Sequence, residues 1–476
     1  MHRRSFVLFT VLALVLPLLA GSGTALAQDA SPAASPGASP MASPVAVEPD
    51  PSISGEISVG MVGNPQMTAL QELVEAGEFA RAYPNITLNL TVLPENQIRQ
   101  TITQDISNQS GQFDVVTIGP FEVPIWAQNG WLEEVGDDAI ADPAYGMDDV
   151  FPSMTAGLTF EDKVYALPFY GESAMLYYRK DLFATAGITV PEAPTWTQVA
   201  EYAAAVHAPD QTPPVYGLCL RGLPGWGEQG APLTTLINAF GGRWFDEDWN
   251  ATLDDEDSAA AIRFYIDNLR QYGPPGVEQN GFTETETLFA QGSCAQWYDA
   301  TSAAELLTSP TESPEFYDQV GFAYGPGEKL PHGNWLWSWN FAMAANSDAK
   351  DASLAFMKWA TSREYQALVV AAEGGWGRAP TGTRTSTYEN PDYQAVAGDF
   401  AQIVLDSINN SNPNEPCEEA VPYTGGQFVR IPEFQALGDD VTQQFAAALV
   451  GDVTVDEAIS AANDLANQTA IDGGYQ

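Results

Sequence analysis

The chain has 476 residues, with 18 Lys and Arg against 62 Asp and Glu, for a formal charge of −44. Nucleic acid demands a basic face, so it is excluded as a partner, and an anionic membrane, which attracts basic segments, is disfavoured by the same reasoning. Three histidines and three cysteines, without metal-ligand spacing, argue against a metal site and His-based catalysis, and no cofactor is expected.

Arg3 and Arg4 precede an apolar run from Phe6 to Ala20 and a small-residue site at Ala25-Leu26-Ala27. This is the pattern of a secretory signal peptide over residues 1–27, too short for a confident membrane span. The Arg pair also fits twin-arginine export, although the apolar core is Sec-like, and no cysteine follows it to carry a lipid. Residues 28–51, rich in Ser, Pro and Ala, are expected to form a disordered, extended tether. The remainder is globular and too long for one core, so two lobes are expected. An exported protein, periplasmic or extracellular and associated with the cell surface, follows. Such a protein can form disulfides; a Cys219–Cys294 bridge is open, but the sequence does not decide the pairing.

In chain order, Glu56 to Gly60 reads as a strand, and Thr68 with Gln71 has the form of a capping box for a helix carrying Leu70, Leu73 and Val74. Ile86, Leu88, Leu90 and Val92 alternate as on a strand; Ile98, Ile102 and Ile106 recur as on a helix; Phe113 to Ile118 is a buried strand. This βαβαβ run implies a parallel sheet flanked by helices. Ligands of open α/β sheets sit beyond the carboxyl ends of the strands, which places Asn64 and Glu122 at a cleft. A second α/β region follows. Ala166 to Tyr170 leads into Met175 to Tyr178, a helix from Lys180 closes at Gly187, and Thr195 with Gln198 forms another capping box. Val215 to Leu220 and Cys294 to Tyr298 read as strands, and a helix from about Asp257 ends at Gly273. Further helices are expected through Leu354 to Trp359 and from Asp439 to about Asn467.

Nine of the 12 tryptophans fall between positions 226 and 376. Strand alternation would turn Trp335, Trp337 and Trp339 to one face, which suits a core stripe or walls that stack on a sugar's C–H faces. Trp226 and Trp376, in glycine-rich turns, favour the cleft; Trp359 belongs to a helix. Glu122, Glu172, Arg221 and Asp299 each follow a strand closely, where carboxylates and a guanidinium suit neighbouring hydroxyls. Each alone also fits a salt bridge. Carboxylates with tryptophans also furnish glycosidase sites, so an exported carbohydrate-active hydrolase or lyase is the alternative.

The segments Ala166 to Ser173 and Leu176 to Phe183 resemble a recurring stretch of the extracellular solute-binding proteins of ABC sugar importers. With Arg221 to Glu228, Phe240 to Asp246, Trp297 to Thr301, Trp335 to Trp339, Val421 to Gly425 and Ile431 to Gln435, the chain is most similar to the sorbitol/mannitol (polyol) subgroup. The resemblance implies a two-lobed periplasmic-binding-protein-like α/β fold, each lobe a sheet flanked by helices, with the ligand cleft between them. Lobe 1 would comprise 52–171 and 338–378, and lobe 2 would comprise 172–337 and 379–476. It implies no catalytic residues and a non-enzymatic clamp, working as a monomer with the importer's membrane permease. The ligand would be a neutral polyol, with an aldose or disaccharide left open. Asn64, Glu122, Glu172, Arg221, Trp226, Asp299, Trp335 and Trp376 are placed at the ligand by this likeness, with Trp337, Tyr170 and Tyr423 as further choices.

Overall fold

The computed structural model describes residues 49–476. The expected signal peptide, and all but the end of the expected tether, lie outside those residues.

The opening βαβαβ run builds the first sheet. β1 (Gly55–Val62), β2 (Ile86–Leu93) and β3 (Val115–Ile118) are linked by α1 (Pro65–Glu75) and α2 (Glu95–Asn108), and β1 pairs parallel with both other strands. Ile57, Val59 and Met61 are buried on β1, whereas the alternation on β2 matches an edge strand with one solvated side. Ile98, Ile102 and Ile106 bury one face of α2, as their four-residue spacing requires. α1 begins earlier than its Thr68 signal suggests. Asn64 is the N-cap, its Oδ1 accepting from the Met67 N–H at 3.0 Å, and Pro65 supplies the preset first turn. α3 (Glu122–Gln128) follows β3.

β4 (Ala166–Glu172) ends the first sheet, and only Ser173 separates it from β5 (Ala174–Arg179), the centre of the second. α4 (Lys180–Ala186) closes at Gly187, and the Thr195–Gln198 capping box forms at the start of α5 (Trp196–Val206). The expected strand at Val215 to Leu220 is not a strand. It makes isolated bridges, Tyr216 with Cys294 and Cys219 with Trp297, and a Cys219–Cys294 disulfide supplies the tie a ladder would give. α6 (Gly230–Ala239) is buried on every side, α7 (Glu256–Tyr272) buries Ile262, Tyr265, Ile266 and Leu269, and α8 (Phe282–Ala290) precedes β6 (Gln296–Ala300). β6 and β7 (Val320–Tyr324) flank β5, both antiparallel to it.

The chain then returns as β8 (Trp337–Met343), antiparallel to β3 and β4, and gives the first sheet the order β2-β1-β3-β8-β4. α9 (Lys350–Ala360), α10 (Phe434–Val450) and α11 (Val455–Asp472) complete the parts used below. Trp359 packs on Phe79 and Tyr365, inside α9's apolar face.

Candidate functional site

The carboxyl ends of β1 and β2 open onto a cavity of about 320 Å³. Val62, Asn64 and Leu93 line it from the first sheet; the loop after Cys219 and the first turn of α8 close the opposite side. Trp335, Trp337 and Trp339 form its wall at the start of β8.

Asn64 does two jobs there. It caps α1 through Oδ1, and its Nδ2 donates to the Tyr170 hydroxyl at 2.9 Å, so the cap also fixes a cavity tyrosine. Glu172 ends β4 and is 7% exposed. Ser302 Oγ donates to its Oε2 at 2.6 Å, and among the described residues no hydrogen bond reaches its Oε1. Burial pushes its carboxyl up to about 7, with Ser302 and Arg221 acting against the rise. Arg221 donates through Nε and Nη2 to the two oxygens of Asp299 at 2.9 and 2.5 Å, and through Nη1 to the Gly227 carbonyl at 2.8 Å. The disulfide two residues earlier and the Tyr265 hydroxyl, which donates to the Arg221 carbonyl at 2.6 Å, hold this loop against β6 and α7.

Trp226 stands in the glycine-rich loop, 4.7 Å from the Phe121 ring and 5.9 Å from Trp337 between centroids. The start of α10 pins it. The Trp226 N–H donates to Asp439 Oδ1 at 2.8 Å, and the Gly225 N–H donates to Thr442 Oγ1 at 2.9 Å. Trp337 lies flat against a missing side chain: a Cβ at Gly119 would sit 2.1 Å from its ring.

Asn64, Glu172, Arg221, Trp226, Trp335 and Trp337 are thus brought together at the cavity. Glu122 and Asp299 stand behind it, each holding a guanidinium that lines it. Trp376 is placed elsewhere. Gly374 is the left-handed C-cap of the preceding helix, so the glycine-rich turn serves helix termination and leaves the indole on Tyr393, 4.9 Å between centroids. Tyr423 also lies outside the lining, its hydroxyl accepting from the Trp244 N–H.

Sequence reasoning missed Arg99, Glu95 and Glu228, which all line the cavity. Arg99 donates to Glu95 at 2.9 Å and Glu122 at 2.7 Å, and its guanidinium lies 4.2, 4.5 and 5.0 Å from the Trp226, Trp339 and Trp337 ring centres. Burial raises the Glu122 carboxyl although Arg99 lowers it. Glu228 accepts from the Phe282 N–H at 3.0 Å and is pushed up to about 7, by burial first and then by the charge of Glu95. The Glu95–Arg99 pair had a visible signal: opposite charges four apart on a helix that opens at a strand's carboxyl end.

The cavity offers apolar indole walls with carboxylate and guanidinium groups between them. Hydroxyls of a compact, flexible ligand both donate and accept, and each finds a partner in such a set. Among the described residues, no group of three or more His, Cys, Asp or Glu is placed to hold a metal ion, and no helix is long and apolar enough to cross a membrane.

Residues 63–367 match the family of bacterial extracellular solute-binding proteins. The mannitol-binding protein of Pseudomonas aeruginosa is 44% identical over 420 residues, covering 88% of this chain and 94% of that protein. The crystal structure of an ABC transporter solute binding protein from Agrobacterium vitis S4, with bound D-mannitol, has a TM-score of 0.84 at 45% identity. It covers 88% of this chain and 99% of that one. A solute binding protein from Agrobacterium radiobacter K84 in complex with ribitol shares the fold, with a TM-score of 0.76 at 24% identity over 88% of this chain and all of that one. The architecture is the two-lobed α/β fold of periplasmic binding proteins.

Proposed function

We propose, for a chain that belongs to the bacterial extracellular solute-binding proteins, that the cavity captures a neutral acyclic polyol of the mannitol and sorbitol kind for an ABC-type importer. The observation that carries this reading is one cavity in which Arg221, Glu172 and Arg99 stand between tryptophan walls. A hexitol is flexible and hydroxylated on every carbon, so it needs many donor–acceptor partners in a small space, and its C–H faces need flat apolar ones. Mannitol as the solute of two relatives at 44% and 45% identity supports the same ligand.

Capture proceeds by closure of lobe 1 (52–171 and 338–378) on lobe 2 (172–337 and 379–476). Contacts that closure would need bridge these two sets of residues: Asn96 Nδ2 donates to the Pro224 carbonyl at 2.8 Å, and Arg99 covers Trp226. A polyol that touches Asn64 and Tyr170 from one lobe and Arg221 and Trp226 from the other favours the closed form by its differential contacts. Glu122 and Asp299 act through the guanidiniums they hold. Trp376 is a packing residue in this account. The protein works as a monomer on the periplasmic or outer cell-surface side and presents its closed form to a membrane permease.

A thermal-shift screen tests the reading. Mannitol or sorbitol at a hundredfold its dissociation constant stabilises the protein by about 2.7 kcal/mol, a shift of a few degrees. A shift with maltose or glucose alone would move the specificity to sugars, and none with any polyol or sugar would overturn the proposal.

A further inference from the structure

The cavity is richer in acceptors than a neutral ligand needs. Glu95, Glu122, Glu172, Glu228 and Asp299 surround or back it, against the two guanidiniums of Arg99 and Arg221. Both cations are already claimed. Arg99 is paired with Glu95 and Glu122, and Arg221 is paired with Asp299 and lies 3.7 Å from Glu228. Glu172 has no ion-pair partner among the described residues, and only the Ser302 hydroxyl donates to it. It lines the cavity with one oxygen unused, at the point where β4 leaves the first sheet.

A ligand anion would find no free cation here and would face Glu172 and Glu228. An ammonium group is the opposite case, since it brings three donors and no acceptor. Resting on the polyol reading above, we propose that this cavity also takes protonated amino-polyols, with the ammonium paired to Glu172, and that it rejects aldonates. The walls and the hydroxyl partners stay as for a neutral polyol; one terminal hydroxyl is replaced by the ammonium. Burial holds the Glu172 carboxyl near 7, as befits a carboxylate waiting for a positive partner.

Calorimetric titration at pH 8 with D-mannitol, 1-amino-1-deoxy-D-mannitol and D-mannonate decides it. The amine is expected to bind about tenfold more tightly than mannitol, the gain when a hydroxyl's hydrogen bond to the carboxylate becomes an ammonium–carboxylate ion pair, and mannonate is expected to show no binding. In Glu172→Gln the amine-to-mannitol ratio falls to about one, as the charge alone has been removed. Amine binding weaker than mannitol in the unaltered protein overturns the inference, whether or not the variant folds, and so does an unchanged ratio in Glu172→Gln. Mannitol bound with the amine rejected sinks this inference alone; neither ligand bound sinks the polyol reading as well.

Discussion

Replacing Gly119 with alanine tests the wall of the cavity without touching a side chain that meets the ligand. The added Cβ would lie 2.1 Å from Trp337 Cη2 and 2.2 Å from Cζ2, well inside contact distance, so methyl and indole cannot share the space. The indole cannot simply retreat, because Trp226, Trp339 and Phe428 hold it at 5.9, 5.6 and 6.0 Å between centroids. Overpacking of this kind costs about 1–3 kcal/mol. The open side is the cavity, so the ring is displaced toward the ligand's space and affinity falls by roughly 5- to 150-fold. Denaturant melts and calorimetric titration of Gly119→Ala, Trp337→Leu and the double variant give a complete cycle. In the Trp337→Leu background the alanine should cost within about 0.5 kcal/mol of nothing, since its steric partner has gone. Strictly additive effects would refute the reasoning and show that Trp337 does not rest on Gly119.

Gly227→Ala should act on closure, because its Cβ would meet Glu95 Oε1 at 2.3 Å and Arg99 Nε at 3.0 Å across the cleft; affinity falls while the melting temperature of the ligand-free protein changes little, and the reverse pattern would make Gly227 a core position. Burial pushes Glu172, Glu228 and Glu305 up to about 7 and Glu286 to about 8. Between the ordinary value of 4.5 and those values the folded state keeps protons that the unfolded chain has released, so stability falls as pH rises through this window. Thermal melts of the ligand-free protein should therefore give a higher Tm at pH 5.5 than at pH 8, and a flat or rising profile contradicts those buried carboxyls. Reducing the Cys219–Cys294 bridge, which spans a sequence separation of 75, removes up to about 4.5 kcal/mol on loop-closure grounds. Melts with and without reductant read it, and an unchanged Tm would contradict the bridge.

Sequence patterning exposed the elements whose signals are local. The stripe at Ile98, Ile102 and Ile106, the Gly187 and Gly273 stops and the Thr195 capping box all appear where the residues place them. At Thr68 a good capping pattern was outranked by Asn64-Pro65, which caps and presets the turn before it. Val215 to Leu220 has strand composition, but beside Cys294 to Trp297 it makes only isolated parallel bridges and a disulfide in place of a continuous ladder. For the candidate site, the strand-end rule reached Asn64 and Glu172, because chain direction and sheet type fix which end faces the ligand; Arg221 was reached through an expected strand that is instead a singly bridged segment beside β6. Arg99 leaves a trace in the sequence, an Arg four residues after a Glu on a helix that opens at a strand's carboxyl end, but the same spacing fits a solvated helix pair, and the packing of three indoles around it decides between the two. Trp376 misled for the complementary reason: a glycine-rich turn can present a ring to a cleft or merely end a helix, and local sequence is the same in both.

Small-angle X-ray scattering of the protein, stripped of any bound solute and titrated with D-mannitol, tests the central claim that two lobes close on a polyol. The account predicts a saturable fall in the radius of gyration with mannitol and no change with D-mannonate. A scattering profile that stays the same at saturating mannitol would contradict it.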